Sequence, residues 1–286
     1  MKYFLKKNIN LKQFTSFKIG GNAKYFAIVS TISQLKNILK DFKKKELPIF
    51  VLGNGSNILF DDKGFNGLVI QNKINFYEFK NNFAFIGSGI LLPFLNKKFI
   101  EKNITGLEFA NLIPATLGGA IYMNAGTKTN NISDIIQNVF FIDFHGNESI
   151  FNKKDLFFDY RKSSFQKKKG IITAANLKLL KSDKCIENNN FFFKSRLSQP
   201  LSSYSAGCIF KNPETYCSAA MLIDKCNLKG KTIGDAMVSK KHANFIINKG
   251  NATSQDVLNL IAYIKEKIFQ KTNILLETEV KYVKYI

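Results

Sequence analysis

A thiol, an ammonium and an amide fall within five residues in the segment Ser205-Ala206-Gly207-Cys208-Ile209-Phe210-Lys211-Asn212-Pro213. Gly207 lets the backbone approach a ligand closely, Cys208 offers a transferable proton, and Lys211 and Asn212 offer polar anchors. Pro213 lacks an N–H and ends regular pairing. A turn with a buried cysteine has the same composition, because free cysteine is commonly a small hydrophobe. Upstream, Gly53-Asn54-Gly55-Ser56-Asn57-Ile58 can turn successive N–H groups one way, as a pyrophosphate nest requires. It lacks the third glycine of a dinucleotide fingerprint and the lysine of a Walker loop, so a plain hairpin turn also fits. A second cluster, Ile113-Pro114-Ala115-Thr116-Leu117-Gly118-Gly119-Ala120, closes with Asn124-Ala125-Gly126. Gly118 and Gly119 admit either a ligand or a packed helix. Near the C-terminus, Glu277 and Glu279 fall on one face of an expected strand, where spacing favours neither.

Composition narrows the chemistry. The 42 basic against 21 acidic residues give a net charge of +21, which first suggests nucleic acid. The excess is nearly all lysine, dispersed along the chain, and the abundant Lys, Asn, Ile and Phe share A- and T-rich codons. Compositional drift accounts for the charge better than a phosphate track, although the field attracts small polyanions. No Trp or ordered Arg-aromatic pattern supplies a stacking platform for single strands. Cys185, Cys208, Cys217 and Cys226 form no C-x-x-C pair, and His145 and His242 lie far apart, so no metal site is expected. The first residues carry charge without an apolar segment, and no apolar run reaches membrane-spanning length. These features predict a cytoplasmic protein.

The elements follow from periodicity. Tyr25–Val29 and Ile49–Leu52 read as strands, separated by an amphipathic helix that buries Leu35, Ile38, Leu39 and Phe42 and is capped by Thr31 or Ser33. A helix is predicted over Leu92–Ile100 with Leu95 and Phe99 inward, and Pro114 suits the first turn of a short helix. Val139–Phe151 reads as a hairpin with His145 in its turn. The polar stretch Lys181–Asn190 reads as a weakly structured linker. Beyond it, Ala219–Cys226 is helical and Ala243–Asn248 a strand. Thr253 with Asp256 forms a capping-box start for a helix burying Val257, Leu260, Ile261, Ile264 and Ile268. Ile274–Val283 alternates as a final strand.

Seven segments, in order and spanning almost the whole chain, resemble the UDP-N-acetylenolpyruvoylglucosamine reductases, flavoenzymes of bacterial peptidoglycan synthesis. They are Thr15–Gly21, Val51–Asp61, Gly106–Gly126, Tyr160-Arg161-Lys162-Ser163, Gln199–Pro213, Val238–Ile246 and Leu276–Val280. The resemblance is to the compact class and implies an α+β fold. Residues 1–184 would form an FAD-binding domain of the vanillyl-alcohol oxidase (PCMH) type, in two subdomains split near residue 70. Residues 185–286 would form an α+β substrate-binding domain, with the flavin ring lying at the interface. Gly53, Asn54, Gly55, Ser56, Asn57 and Ile58 would bind the FAD pyrophosphate. Pro114, Gly118, Gly119, Asn124, Ala125 and Gly126 would line the flavin. With no His or Cys in either glycine cluster, the FAD would be noncovalent.

The resemblance also implies the reaction. NADPH, as co-substrate, supplies a hydride that reaches the terminal alkene carbon of UDP-N-acetylglucosamine enolpyruvate by way of FAD. Negative charge then develops beside the substrate carboxylate. Arg161 matches the position that stabilises that charge, and a guanidinium suits it by remaining charged and bidentate. Cys208 matches the proton donor, where many members carry serine. A thiol of ordinary pKa ~8.5 releases its proton more readily than an alcohol. Glu279 matches the third catalytic position, and Arg196, Gln199, Lys211 and Asn212 match substrate-side positions. His242 lies in a family motif, where a structural role is expected, and Ala115 departs from a common glycine. The expected partners are the UDP-sugar and NADPH, with no nucleic acid, no membrane insertion and a monomeric state. Two other readings stand beside this one: an FAD oxidase or dehydrogenase of another substrate, and a basic nucleic-acid-binding protein.

Overall fold

The computed structural model describes residues 3–80, 82–127, 129–213 and 217–286. The chain forms two compact units that are not contiguous in sequence. The first comprises 1–6, 26–54 and 68–196, and the second 7–25, 55–67 and 197–286. The α+β class expected from the sequence is observed.

Strands β1 (Phe4–Asn10), β2 (Asn22–Val29), β3 (Ile49–Leu52) and β5 (Phe65–Asn72) make a four-stranded sheet in the order β1-β2-β5-β3. The strand β4 (Ile58–Phe60) lies outside it. Pairing of β3 with β5 is parallel, the two being joined by residues 53–64, and helix α1 (Ile32–Phe42) links β2 to β3. Helix α1 buries Leu35, Ile38, Leu39 and Phe42 as expected, and of the two candidate caps it uses Thr31, whose hydroxyl accepts the Gln34 N–H at 3.1 Å.

The rest of the first unit is built on a five-stranded antiparallel sheet. Its order is Glu148–Asn152, Ile136–Asp143, Gly170–Lys178, β7 (Phe83–Gly87) and β6 (Tyr77–Lys80). The hairpin between Ile136–Asp143 and Glu148–Asn152 holds His145 at an exposed turn, its N–H bonded to the Asp143 carboxylate at 2.8 Å. Helix α2 (Leu92–Ile100) matches the predicted bounds and buries Leu95 and Phe99. Helix α3 (Leu117–Met123) begins after Pro114: Thr116 caps it, and Pro114 precedes the first turn instead of occupying it.

Helix α4 (Cys185–Arg196) corrects the expected linker. Cys185 is its buried residue, while Ile186, Phe191 and Phe193 are exposed. Polar side chains dock it: Asn189 Oδ1 accepts from the side-chain amides of Asn96 and Asn111, both at 2.8 Å. Such a helix carries no apolar stripe to betray it.

The second unit packs helices α5 (Ala219–Lys225) and α6 (Ser254–Thr272) with a sheet ordered Tyr204–Cys208, Phe245–Asn248, Ala236–Val238 and Thr232–Ile233. Both halves of the α6 capping box form: the Thr253 hydroxyl accepts from Asp256 N and the Asp256 carboxylate from Thr253 N, each at 3.0 Å. Val257, Leu260, Ile261, Ile264 and Ile268 enter the core with Phe17, Ile19 and Leu59 from the early segments. Each such side chain contributes about 1.5–3 kcal/mol of burial energy. The strand expected over 274–283 is shorter. Only Lys281–Val283 forms a ladder, parallel to β4, and Thr278 makes an isolated bridge to Phe210.

Candidate active site

In the first unit the two glycine clusters meet. Asn54 donates its side-chain amide to the Pro114 carbonyl at 2.7 Å. Gly53 lies against Thr116, so close that an added Cβ would fall 2.6 Å from the Thr116 hydroxyl. That hydroxyl is already the α3 cap, accepting the Gly119 N–H at 3.3 Å. Gly118 donates its N–H to Ser88 O at 2.8 Å, whereas a Cβ on Gly119 would meet only the Thr116 hydroxyl, at 3.5 Å. The first turn of α3 thus leaves bare backbone facing open space. Gly53→Ala is expected to displace Thr116 from its cap and destabilise this unit by about 1–3 kcal/mol. A lowered denaturation midpoint, with weaker FAD retention, is the measurement, and an unshifted midpoint would show the cap to be indifferent.

Asn124 ends α3 in the left-handed conformation (φ 45°) with a buried side chain. Its amide donates to Asp159 O at 3.0 Å and its Oδ1 accepts the Ser133 N–H at 3.4 Å, which fixes the neighbouring hairpin Phe158–Asp159/Lys162–Ser163. Arg161 occupies the second position of that two-residue turn at φ 55°. Its Nη2 donates to the Gly126 carbonyl at 3.1 Å, and its guanidinium lies 4.9 Å from the Tyr160 ring centroid. The cation is therefore aimed by a backbone bond and a ring face. Ala125 is fixed through its backbone, its N–H bonding Ala120 O and its carbonyl accepting the Ile132 N–H, while its methyl packs against the core. Arg196 also lies in the first unit, where its Nη2 donates to Phe109 O at 3.0 Å.

In the second unit Cys208 ends the strand Tyr204–Cys208 beside a bulge. Ser205 faces Ile247 and Cys208 faces Phe245, so one extra residue is accommodated between them. Gly207 takes φ 77°, the conformation such a bulge needs, and has no neighbour closer than 4.0 Å to its would-be Cβ. The following segment runs antiparallel to the Glu279 segment: Glu279 N donates to Ile209 O at 2.7 Å and Lys211 N to Glu277 O at 2.9 Å. The structure thus places the thiol and the carboxylate on adjacent segments.

It also separates the two glutamates. Glu277 is exposed and takes the Lys211 ammonium at 2.5 Å, whereas Glu279 is half-buried. Asn212 turns its Oδ1 to the Ala219 N–H at 3.1 Å, at the start of α5. Gln199 lies just before this segment, in the turn 199–203.

Gly53 and Asn54 belong to the first unit, while Gly55, Ser56, Asn57 and Ile58 belong to the second. Asn57 donates to Glu279 O at 3.3 Å and accepts from Lys281 N at 3.0 Å. Ser16 had no role assigned from sequence, yet its hydroxyl donates to Ser205 O at 2.6 Å and its N–H to Gly55 O at 3.2 Å. It ties the glycine loop to the strand that ends at Cys208. Its only sequence signal is membership of the Thr15–Gly21 motif.

His242 packs edge-on against Phe245, with ring centroids 4.8 Å apart. Burial holds its imidazole below the ordinary value of 6.5, and the Lys229 ammonium pushes the same way. The unfolded chain therefore takes up this proton first as pH falls. Stability from this group is complete above about pH 6.5 and declines from there towards the folded-state value. Replacing His242 with Asn is expected to flatten that acid limb in denaturant titrations, and an unchanged slope would remove His242 as its cause. Among the described residues no group of three His, Cys, Asp or Glu is placed to hold a metal ion.

Residues 23–148 match a family model described as an FAD binding domain, and residues 199–283 one described as the C-terminal domain of UDP-N-acetylenolpyruvoylglucosamine reductase. A reductase of that name from Protochlamydia amoebophila is 44% identical over 97% of this chain and 93% of its own length. Another, from Clostridium novyi, is 39% identical over 98% and 92%. The crystal structure of the UDP-N-acetylenolpyruvylglucosamine reductase from Thermus caldophilus aligns at a TM-score of 0.84 and 35% identity, covering 98% of this chain and 99% of that one.

Proposed function

Since the chain belongs to the UDP-N-acetylenolpyruvoylglucosamine reductase family, we propose that it is an FAD-dependent NADPH oxidoreductase acting on UDP-N-acetylglucosamine enolpyruvate. It reduces the enolpyruvyl group to the lactyl ether of UDP-N-acetylmuramate. In this reading residues 1–184 bind the cofactor and residues 185–286 the substrate. The pairing of the Cys208 segment with the Glu279 segment, with Asn57 held on the same chain, is the observation that carries it.

The residues fit FAD. The bare first turn of α3 at Gly119 leaves room for a ring, and Gly53–Ile58 offers backbone donors to a pyrophosphate. Pro114, Gly118, Asn124, Ala125 and Gly126 complete the flavin side. When bound, FAD supplies the hydride relay between NADPH and the alkene. The protein's own groups do the rest. Arg161 binds the substrate carboxylate and stabilises the charge that grows beside it. Cys208 delivers a proton to the adjacent carbon. Glu279 orients the enolic group, and Arg196, Gln199, Lys211 and Asn212 form the substrate-side wall.

We place this reaction in the cytoplasm as a step of peptidoglycan precursor synthesis, serving cell shape and division, carried out by a monomer. No helix among the described residues is long and apolar enough to cross a membrane. The test is the visible spectrum of the purified protein without oxygen. A flavin spectrum that bleaches with NADPH and returns on adding the enolpyruvyl sugar nucleotide is expected. A bleach reversed only by oxygen would make the protein an oxidase of another substrate, and a protein that takes up no FAD would overturn both readings.

A further inference from the structure

The second unit contains a cavity of about 900 Å³ that no step of the reaction uses. Its walls are the ends of β1 and β2, the turn after β4, the loop at Gly250 and the C-terminal Tyr285. Strand β4 separates it from the glycine loop: residues 55–58 enter one end of the strand, and Asp62 and Lys63 leave the other. Crossing those residues takes the chain roughly 10 Å.

Five lysines line the cavity: Lys7, Lys12, Lys18, Lys24 and Lys63. Elsewhere on the molecule lysines meet carboxylates, as in Lys211–Glu277, Lys229–Asp224 and Lys98–Glu101. Among the described residues, none of these five is in a salt bridge. Asp62 is the acid in the wall, and its oxygens accept from Ser254 N at 2.8 and 2.9 Å, from the Ser254 hydroxyl at 2.7 Å and from Gln255 N at 3.4 Å. It is held by the start of α6. Neighbouring Asp61 is similarly held by the Tyr282 hydroxyl at 2.6 Å. Dispersed compositional drift explains many lysines, but it does not explain their gathering around one concavity whose acids are already satisfied.

We propose that this cavity binds a small polyanion carrying two or more phosphates. A single dianionic phosphate neutralises fewer than half of the five ammonium groups. A chain of phosphates reaches more of them, and the side-chain amides of Asn66 and Asn251 in the wall add donors to its oxygens.

The test is calorimetric titration of the full FAD-loaded protein with tripolyphosphate, so that the glycine loop is already filled. The triple variant Lys12→Gln, Lys24→Gln, Lys63→Gln is compared with a control of equal charge, Lys154→Gln, Lys167→Gln, Lys225→Gln, drawn from exposed positions outside the cavity. Binding is expected to weaken about tenfold or more in the first and to stay as in the parent protein in the second. Bleaching of the flavin by NADPH, unchanged in both variants, shows that each is folded and keeps its cofactor. Absence of binding to the parent protein, equal weakening in both triples, or undiminished binding to the cavity triple would each overturn the assignment.

Discussion

Arg161→Lys is expected to slow reduction of the enolpyruvyl substrate by about 10²–10³-fold while reduction of the flavin by NADPH keeps its rate. Lysine retains the charge but not the planar fork, and three features of this site depend on the fork. One nitrogen is used on the Gly126 carbonyl, the plane lies by the Tyr160 ring, and a planar guanidinium can hold a carboxylate with two parallel bonds. The backbone strain at φ 55° is the same for both residues, so the comparison isolates the head group. Rapid-mixing measurement of the two half-reactions separates the outcomes. Equal loss in both would indicate damage to the flavin surroundings and would remove Arg161 from its role towards the substrate.

Cys208→Ala is expected to lower turnover by about 10²–10⁴-fold, the range for losing a positioned proton donor, again with flavin reduction intact. Cys208→Ser supplies the informative partner. The residue follows a bulge whose geometry is set by Gly207 and not by the sulfur, so serine enters the same place and is expected to restore turnover. The cysteine protein should also lose activity to a thiol-alkylating reagent, whereas the serine variant should not. Alanine with undiminished turnover would mean that the proton comes from elsewhere.

Elements whose stability comes from an apolar stripe were legible in the sequence. Helix α6 announced itself through Thr253, Asp256 and five buried aliphatics, all found where the 3.6-residue period put them. Helix α4 was illegible for the opposite reason. It is docked by Asn189 and Arg196, and its phenylalanines do not follow one face, so polar composition read as a linker. Alternation over 274–283 overstated the last strand, because pairing there depends on partners more than 200 residues earlier. At the site, residue types could be read but not their pairings. Spacing alone does not distinguish Glu277 from Glu279, which only the family motif separates in the sequence; the structure separates them by giving Glu277 to Lys211. Ser16 was silent because its partner, Ser205, lies 189 residues away.

The pairing of β4 with Lys281–Val283 bears on how the chain matures. Residues 7–25 and 55–67 are made long before their packing partners in 197–286, and the ladder for β4 is supplied by Lys281–Val283, more than 200 residues later. The second unit is therefore completed only once residues 254–283 are available, with Phe17, Ile19 and Leu59 waiting for α6. A nascent chain stalled before residue 281 would present β4 as an unpaired edge and lack the Tyr282 hydroxyl that anchors Asp61. Loss of residues 281–283 would then cost far more than its length suggests, leaving an aggregation-prone chain with the second unit unassembled.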